Sequence, residues 1–232
     1  MTSHLHRQID KLKLMISRLA AMAEQSVTDA LRAVHDFDPA RADAVIDADD
    51  VIDRYELEIE EECLHTLALH QPVAFDMRYI IAILKINNEL ERIGDLAVNI
   101  ADQARFLAQE RQADGPLPFN LDAMAGDVRD MLRQSLDALV NIDAAAARQV
   151  READDAVDAI HRAMYDRVAA AIRADTDKAE LYLHTLSVSR NLERIGDHAV
   201  NIAEDVLYIT EGDIFRHPRN HPLAENADDT RP

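Results

Sequence analysis

At 232 residues the chain can bury one large core or two smaller ones, and 48% apolar with 30% charged residues reads as globular and soluble. Its 44 acidic residues outnumber 25 Lys and Arg, and the resulting net charge of -19 repels phosphate backbones and argues against nucleic-acid binding. Only 5 glycines and 4% aromatics leave little of what strands favour.

The first predicted helix runs from about His6 to His35, with Leu12, Ile16, Leu19, Met22, Val27 and Leu31 near helical spacing. Asp38-Pro39 reads as an N-cap followed by proline at the first helical position, and opens a second helix that reaches about Leu69. Pro72 opens a third, ending near Gln109. Asp114-Gly115-Pro116-Leu117-Pro118 cannot continue a helix and reads as a linker. A fourth helix covers about Leu121 to Asn141, and Asp143 caps a fifth. Asp175 to Asp177 breaks the chain, and a sixth helix ends near Gly212. The expected fold is all-α: two tandem, pseudo-symmetric three-helix bundles built from six long, spectrin-like helices. The expected domains are 1–113, 119–217 and a disordered polar tail over 218–232.

The two halves repeat one another. Leu90 to Ala101 reads LERIGDLAVNIA and Leu192 to Ala203 reads LERIGDHAVNIA, eleven matches in twelve at an offset of 102. A weaker echo, Ala48-Asp49-Asp50-Val51-Ile52-Asp53 against Ala153-Asp154-Asp155-Ala156-Val157-Asp158, has an offset of 105 and shares it with the caps Asp38 and Asp143. Internal duplication explains this pattern.

Within the strong repeat, Leu90, Ile93, Ala97 and Ile100, like Leu192, Ile195, Ala199 and Ile202, form a core stripe. Gly94 and Gly196 each cost about 1 kcal/mol in a helix and imply close approach by a neighbouring helix. A second stripe is acidic: Glu91, Asp95, Asn99 and Asp102, matched by Glu193, Asp197, Asn201 and Glu204. Carboxylates four apart share a helix face and repel. Solvent, Arg92 and Arg194, or a hard metal cation could each answer that repulsion. The second helices carry the matching pairs Asp49/Asp53 and Asp154/Asp158, so antiparallel packing would bring four carboxylates together in each half. The candidate metal ligands are therefore Asp49, Asp53, Glu91 and Asp95, and Asp154, Asp158, Glu193 and Asp197, with His161 able to join the second set. Glu62-Cys63-Leu64-His65 resembles half of a di-iron motif but lacks a second copy, and Cys63 reads as a small core residue. Neither a Gly-rich phosphate loop nor a glycine-flanked nucleophile is present, which weighs against an enzyme.

The paired L-E-R-I-G-D-x-A-V-N-I-A segments, the Asp49/Asp53 and Asp154/Asp158 motifs and the run Ile209 to His217 resemble the PhoU family, over about residues 5 to 217. The resemblance implies multinuclear sites for iron, zinc, manganese or magnesium. It also implies a homodimer that represses the phosphate-starvation response, bridging the ATPase subunit of the phosphate ABC transporter and a sensor histidine kinase. A single cysteine, no signal-peptide core over Met1 to Ile9 and no run of about 20 uninterrupted apolar residues fit a cytoplasmic protein that reaches the membrane only through partners. Two other functions stay open: accessory protein of a non-ABC phosphate carrier, and carboxylate-bridged metal oxidase or storage protein.

Overall fold

The computed structural model describes residues 2–114 and 119–212. Six long helices and one short 3-10 turn account for nearly all of them, and no strand occurs among the described residues. The helices are α1 (Thr2–Asp36), α2 (Pro39–His70), α3 (Ala74–Asp114), α4 (Asp122–Asn141), α5 (Ala144–Ala174) and α6 (Ala179–Glu211). The expected linker at Gly115 to Pro118 and the expected tail over 218–232 lie outside the described residues, as does the stretch from Asp213 to His217.

Local chemistry sets the boundaries. The Asp38 carboxylate accepts the Arg41 N–H at 3.1 Å, with Pro39 entering the helix where its missing N–H costs nothing. Asp143 repeats the cap, accepting from Ala145 and Ala146 at 2.8 and 3.1 Å. Gln71 and Gly212 end α2 and α6 in the left-handed conformation, their N–H groups returning to Leu67 and Tyr208. Four boundaries differ from the sequence reading, the first being that of α1, which begins at Thr2 rather than about His6. Pro72 does not open α3, because Ala74 adopts a positive φ of 49° and regular helix begins only there. At its other end α3 runs on to Asp114, which the sequence reading assigned to the linker. Between α5 and α6 the chain takes a 3-10 turn over Thr176–Lys178, with the Asp175 carboxylate accepting the Asp177 N–H.

Helices α1, α2 and α3 pack on one another, as do α4, α5 and α6, and α3 against α6 is the main contact between the halves. Within the first bundle α2 runs antiparallel to both neighbours: Lys11 meets Glu62 and Asp29 meets Arg41 across α1–α2, while Glu56 meets Asn87 and Asp43 meets Arg105 across α2–α3. The predicted stripes are the core. Leu90, Ile93, Ala97 and Ile100 are fully buried, as are Leu192, Ile195, Ala199 and Ile202. On α1, Leu12, Ile16, Leu19 and Val27 are buried, with Met22 and Leu31 packed at the margin.

The α3–α6 interface is antiparallel and carries polar contacts. Lys85 lies 3.2 Å from Asp205, Gln103 2.6 Å from His184, and the His198 Nδ1–H donates to Glu89 at 2.6 Å. Asn201 adds a second donor to the same Glu89 oxygen at 3.0 Å. These pairs fix the orientation of one half against the other.

Candidate metal centre

The antiparallel crossing of α2 over α3 sets the acidic pair of one helix beside that of the other. The crossing is close because Gly94 has no side chain: a Cβ there would sit 3.2 Å from Asp49 Oδ1 and 3.3 Å from two Ile52 carbons. The second half builds the same crossing, with the Gly196 position 3.6 Å from Asp154 Oδ1 and 3.7 Å from Val157. Asp49 and Ile52 correspond to Asp154 and Val157 at the offset of 105, so the duplication seen in sequence is a duplication of contacts.

Electrostatics register the convergence. The Asp49 carboxyl is pushed up to about 6 by burial first, then by the charges of Asp53, Asp95 and Asp50. Asp154 is pushed up to about 6 by burial, then by Asp197, Asp158, Asp155 and Glu193. Burial followed by Asp95 raises both Asp53 and Glu91, and burial followed by Asp197 raises Glu193. Asp197 itself is raised by burial and by Asp158, with His198 and Arg194 opposing. Each of the eight expected carboxylates thus either feels or exerts the charge of its own group of four.

The groups are neighbours without being a closed cage. As the side chains stand, no three or more His, Cys, Asp or Glu among the described residues are gathered closely enough to hold a metal ion. Like charges on adjacent turns favour rotamers that spread apart. Two features nevertheless suit a cation. Asp49 Oδ1 is buried without a hydrogen-bond partner, and the donor set is oxygen-rich, as hard cations require. The acidic stripe does not reach further along α3 and α6. Asp102 pairs with Arg105 at 3.6 Å, Glu204 with Arg151 at 3.4 Å, and Asn201 turns to Glu89.

The halves differ at one flanking position. Glu56, raised by burial and by Glu60 and Asp53, takes a hydrogen bond from Asn87 at 3.0 Å in the first half. Its counterpart at the offset of 105 is His161, whose Nδ1 lies 2.9 Å from Ser189 Oγ, and Ser189 in turn corresponds to Asn87. Burial lowers the His161 pKa, which favours the neutral ring. The second group also has more compensating charge, since Arg162 reaches Asp158 at 3.1 Å where the first half has Leu57. The sequence reading missed Glu56, although its correspondence with His161 was available. Elsewhere Glu62 is largely buried and pairs with Lys11 at 2.7 Å, His65 is exposed, and Cys63 is a buried core residue as expected, its thiol pushed up to about 12.

Comparison with known proteins agrees with the duplicated architecture. A family model described as the PhoU domain matches residues 16–104 and again 121–206. The chain is 35% identical over 214 residues to a phosphate-specific transport system accessory protein, PhoU homolog 1, of Thermotoga maritima, covering 91% of this chain and 92% of that one. It is also 35% identical to the Pseudomonas aeruginosa homolog, covering 100% of this chain and 97% of that one. The crystal structure of PhoU from Pseudomonas aeruginosa matches with a TM-score of 0.85 at 34% identity, over 90% of this chain and 99% of that one. A phosphate transport system regulatory protein PhoU from Streptococcus pneumoniae matches at 0.82 and 25% identity, over 90% of this chain and 98% of that one.

Proposed function

The chain belongs to the PhoU family of phosphate transport system accessory proteins, and on that premise we propose that it is a metal-binding adaptor that represses the phosphate-starvation response while phosphate is plentiful. The observation that carries the reading is the pair of carboxylate groups at two equivalent glycine crossings, each coupling one helix of a bundle to the next. Asp49, Asp53, Glu91 and Asp95 would hold iron, zinc, manganese or magnesium in the first half, and Asp154, Asp158, Glu193 and Asp197 in the second. A bound cation would neutralise the repulsion and tie α2 to α3 and α5 to α6. The role is regulatory rather than enzymatic, in keeping with relatives named as accessory and regulatory proteins.

The partners in this reading are the ATPase subunit of a phosphate ABC transporter and a sensor histidine kinase, met in the cytoplasm by a homodimer. No described helix is long and apolar enough to cross a membrane, which fits a protein brought there by partners.

The test replaces the chromosomal gene with one encoding Asp95→Asn and Asp197→Asn, removing two charges without changing side-chain size. A phosphate-starvation reporter should then fire in phosphate-rich medium, and affinity capture from the same cells should lose the transporter ATPase or the kinase. Full repression with intact capture would refute the metal-dependent adaptor.

A further inference from the structure

A cleft of about 580 Å³ opens between the end of α1 and the start of α4, and none of the eight candidate carboxylates lines it. Leu31, Val34, Leu121 and Ala125 give it an apolar floor, and Phe37 and Phe119 add aromatic surface. Its rim carries two arginines, Arg32 and Arg129, in a chain of net charge -19; Arg32 also lies 3.9 Å from Asp29 outside the lining, and the one lining acid, Asp122, lies 3.4 Å from the His35 ring. Gly126 faces open space, since a Cβ there would meet nothing within 4 Å.

The duplicated fold supplies an internal control. At the offset of 105, the equivalent corner of the other half has Leu136 for Leu31, Val140 for His35, Ser17 for Asp122 and Glu24 for Arg129. Val140 is 63% exposed and Glu24 is acidic, so the repeat carries no second cationic cleft. Packing shared by both halves therefore does not account for these cations.

We propose that this cleft binds a nucleoside phosphate. The flat base suits the aromatic and apolar surface, and the guanidinium groups of Arg32 and Arg129 suit the phosphate oxygens, which they can meet with paired N–H donors. The volume lies within the roughly 300–1,000 Å³ common for small-ligand sites. Neither half of such a ligand suffices: inorganic phosphate lacks the apolar body, and a nucleoside lacks the charge.

Calorimetric titration of the full chain with AMP, GMP, CMP and UMP, and separately with inorganic phosphate and the four nucleosides, tests this. At least one monophosphate should bind with submillimolar Kd, at least about tenfold more tightly than phosphate or its own nucleoside, as expected when a charge-assisted contact is added. Gly126→Leu places a side chain in the cleft from a position where its Cβ meets nothing within 4 Å, so it should keep the melting temperature and lose the binding. Arg129→Glu reverses one rim charge on an exposed helix face and reads the same cleft if the leucine variant folds poorly. The proposal is overturned if none of the four monophosphates binds at millimolar concentration, if phosphate alone binds as tightly, or if binding survives both substitutions in folded protein.

Discussion

His198 Nδ1 lies 2.6 Å from Glu89 Oε2 at the centre of the α3–α6 interface, and His198 occupies the single position at which the two twelve-residue repeats differ. Its counterpart is Leu96, and the counterpart of Glu89 is Asn191, so the contact has no mirror image in the fold. Both members are buried, and Asn201 donates to the same oxygen. His198→Leu, which restores the repeat, should cost about 1–3 kcal/mol because a buried carboxylate loses a donor. Combining it with Glu89→Leu should recover much of that loss, since an apolar pair needs no partner. Urea midpoints of the two single variants and the double variant give the coupling, and strictly additive effects would show that the pair contributes nothing.

The two glycine crossings should respond differently to a methyl group. Alanine is the better helix former by about 1 kcal/mol. At Gly196 the nearest atoms lie at 3.6 Å or more, so Gly196→Ala should be neutral or stabilising by up to about 1 kcal/mol. At Gly94 the new carbon would come within 3.2 Å of Asp49 Oδ1 and 3.3 Å of Ile52, so those side chains must give way slightly and the propensity gain is offset. Gly94→Ala should be the less stable of the two variants by denaturant titration; equal stabilities would mean that the Asp49 and Ile52 side chains yield freely at the first crossing.

Proton linkage follows from the crowded carboxylates. Asp49 and Asp154 titrate at about 6 in the folded chain, above the ordinary 3.8. A carboxyl whose folded pKa is raised binds its proton more tightly when folded, so its charge destabilises the fold above about pH 6, and that penalty is relieved as pH falls from about 6 towards 3.8. In chelator, the melting temperature of wild type should therefore fall more between pH 5 and pH 7.5 than that of Asp49→Asn/Asp154→Asn. Identical pH dependence in the two proteins would show that these carboxyls are not perturbed.

The two helix crossings were legible in the sequence because duplication filters noise. One acidic pair at i and i+4 says little in a chain with 44 acids, whereas the same pair recurring at a fixed offset beside a recurring glycine locates a helix crossing. The caps Asp38 and Asp143 were readable for the same reason: their chemistry is local and appears twice. What stayed hidden depends on three-dimensional pairing. Nothing in the spacing links Glu89 to His198, 109 residues away, and the role of Glu56 emerges only when Asn87 is seen to donate to it. The start of α3 at Ala74 was hidden because a non-glycine residue takes a positive φ there, which sequence preference disfavours.

The substitution of Glu56 by His161 between the halves predicts that the two proposed metal sites differ in preference. The first offers only carboxylate oxygens, with Glu56 as a fifth beside Asp49, Asp53, Glu91 and Asp95. Oxygen-only sets suit magnesium and manganese. The second has a ring held near neutrality by burial and a carboxylate already paired with Arg162, so it has less negative charge to offer and a nitrogen donor within the group. Imidazole nitrogen favours zinc and iron over magnesium. Metal that binds only the folded chain should raise stability by RT ln(1 + [L]/Kd), about 2.7 kcal/mol at a hundredfold excess over Kd. Manganese and zinc should each therefore raise the melting temperature of chelator-stripped protein. Glu56→Gln should shrink the manganese shift and spare most of the zinc shift, and His161→Gln should do the reverse. Asp95→Asn with Asp197→Asn should remove both shifts, which separates loss of binding from a change of preference. If Glu56→Gln and His161→Gln alter the two metals in equal proportion, the flanking position does not set the preference. If neither metal shifts the melting temperature of wild type, the carboxylate groups are solvated faces held apart by their own charge.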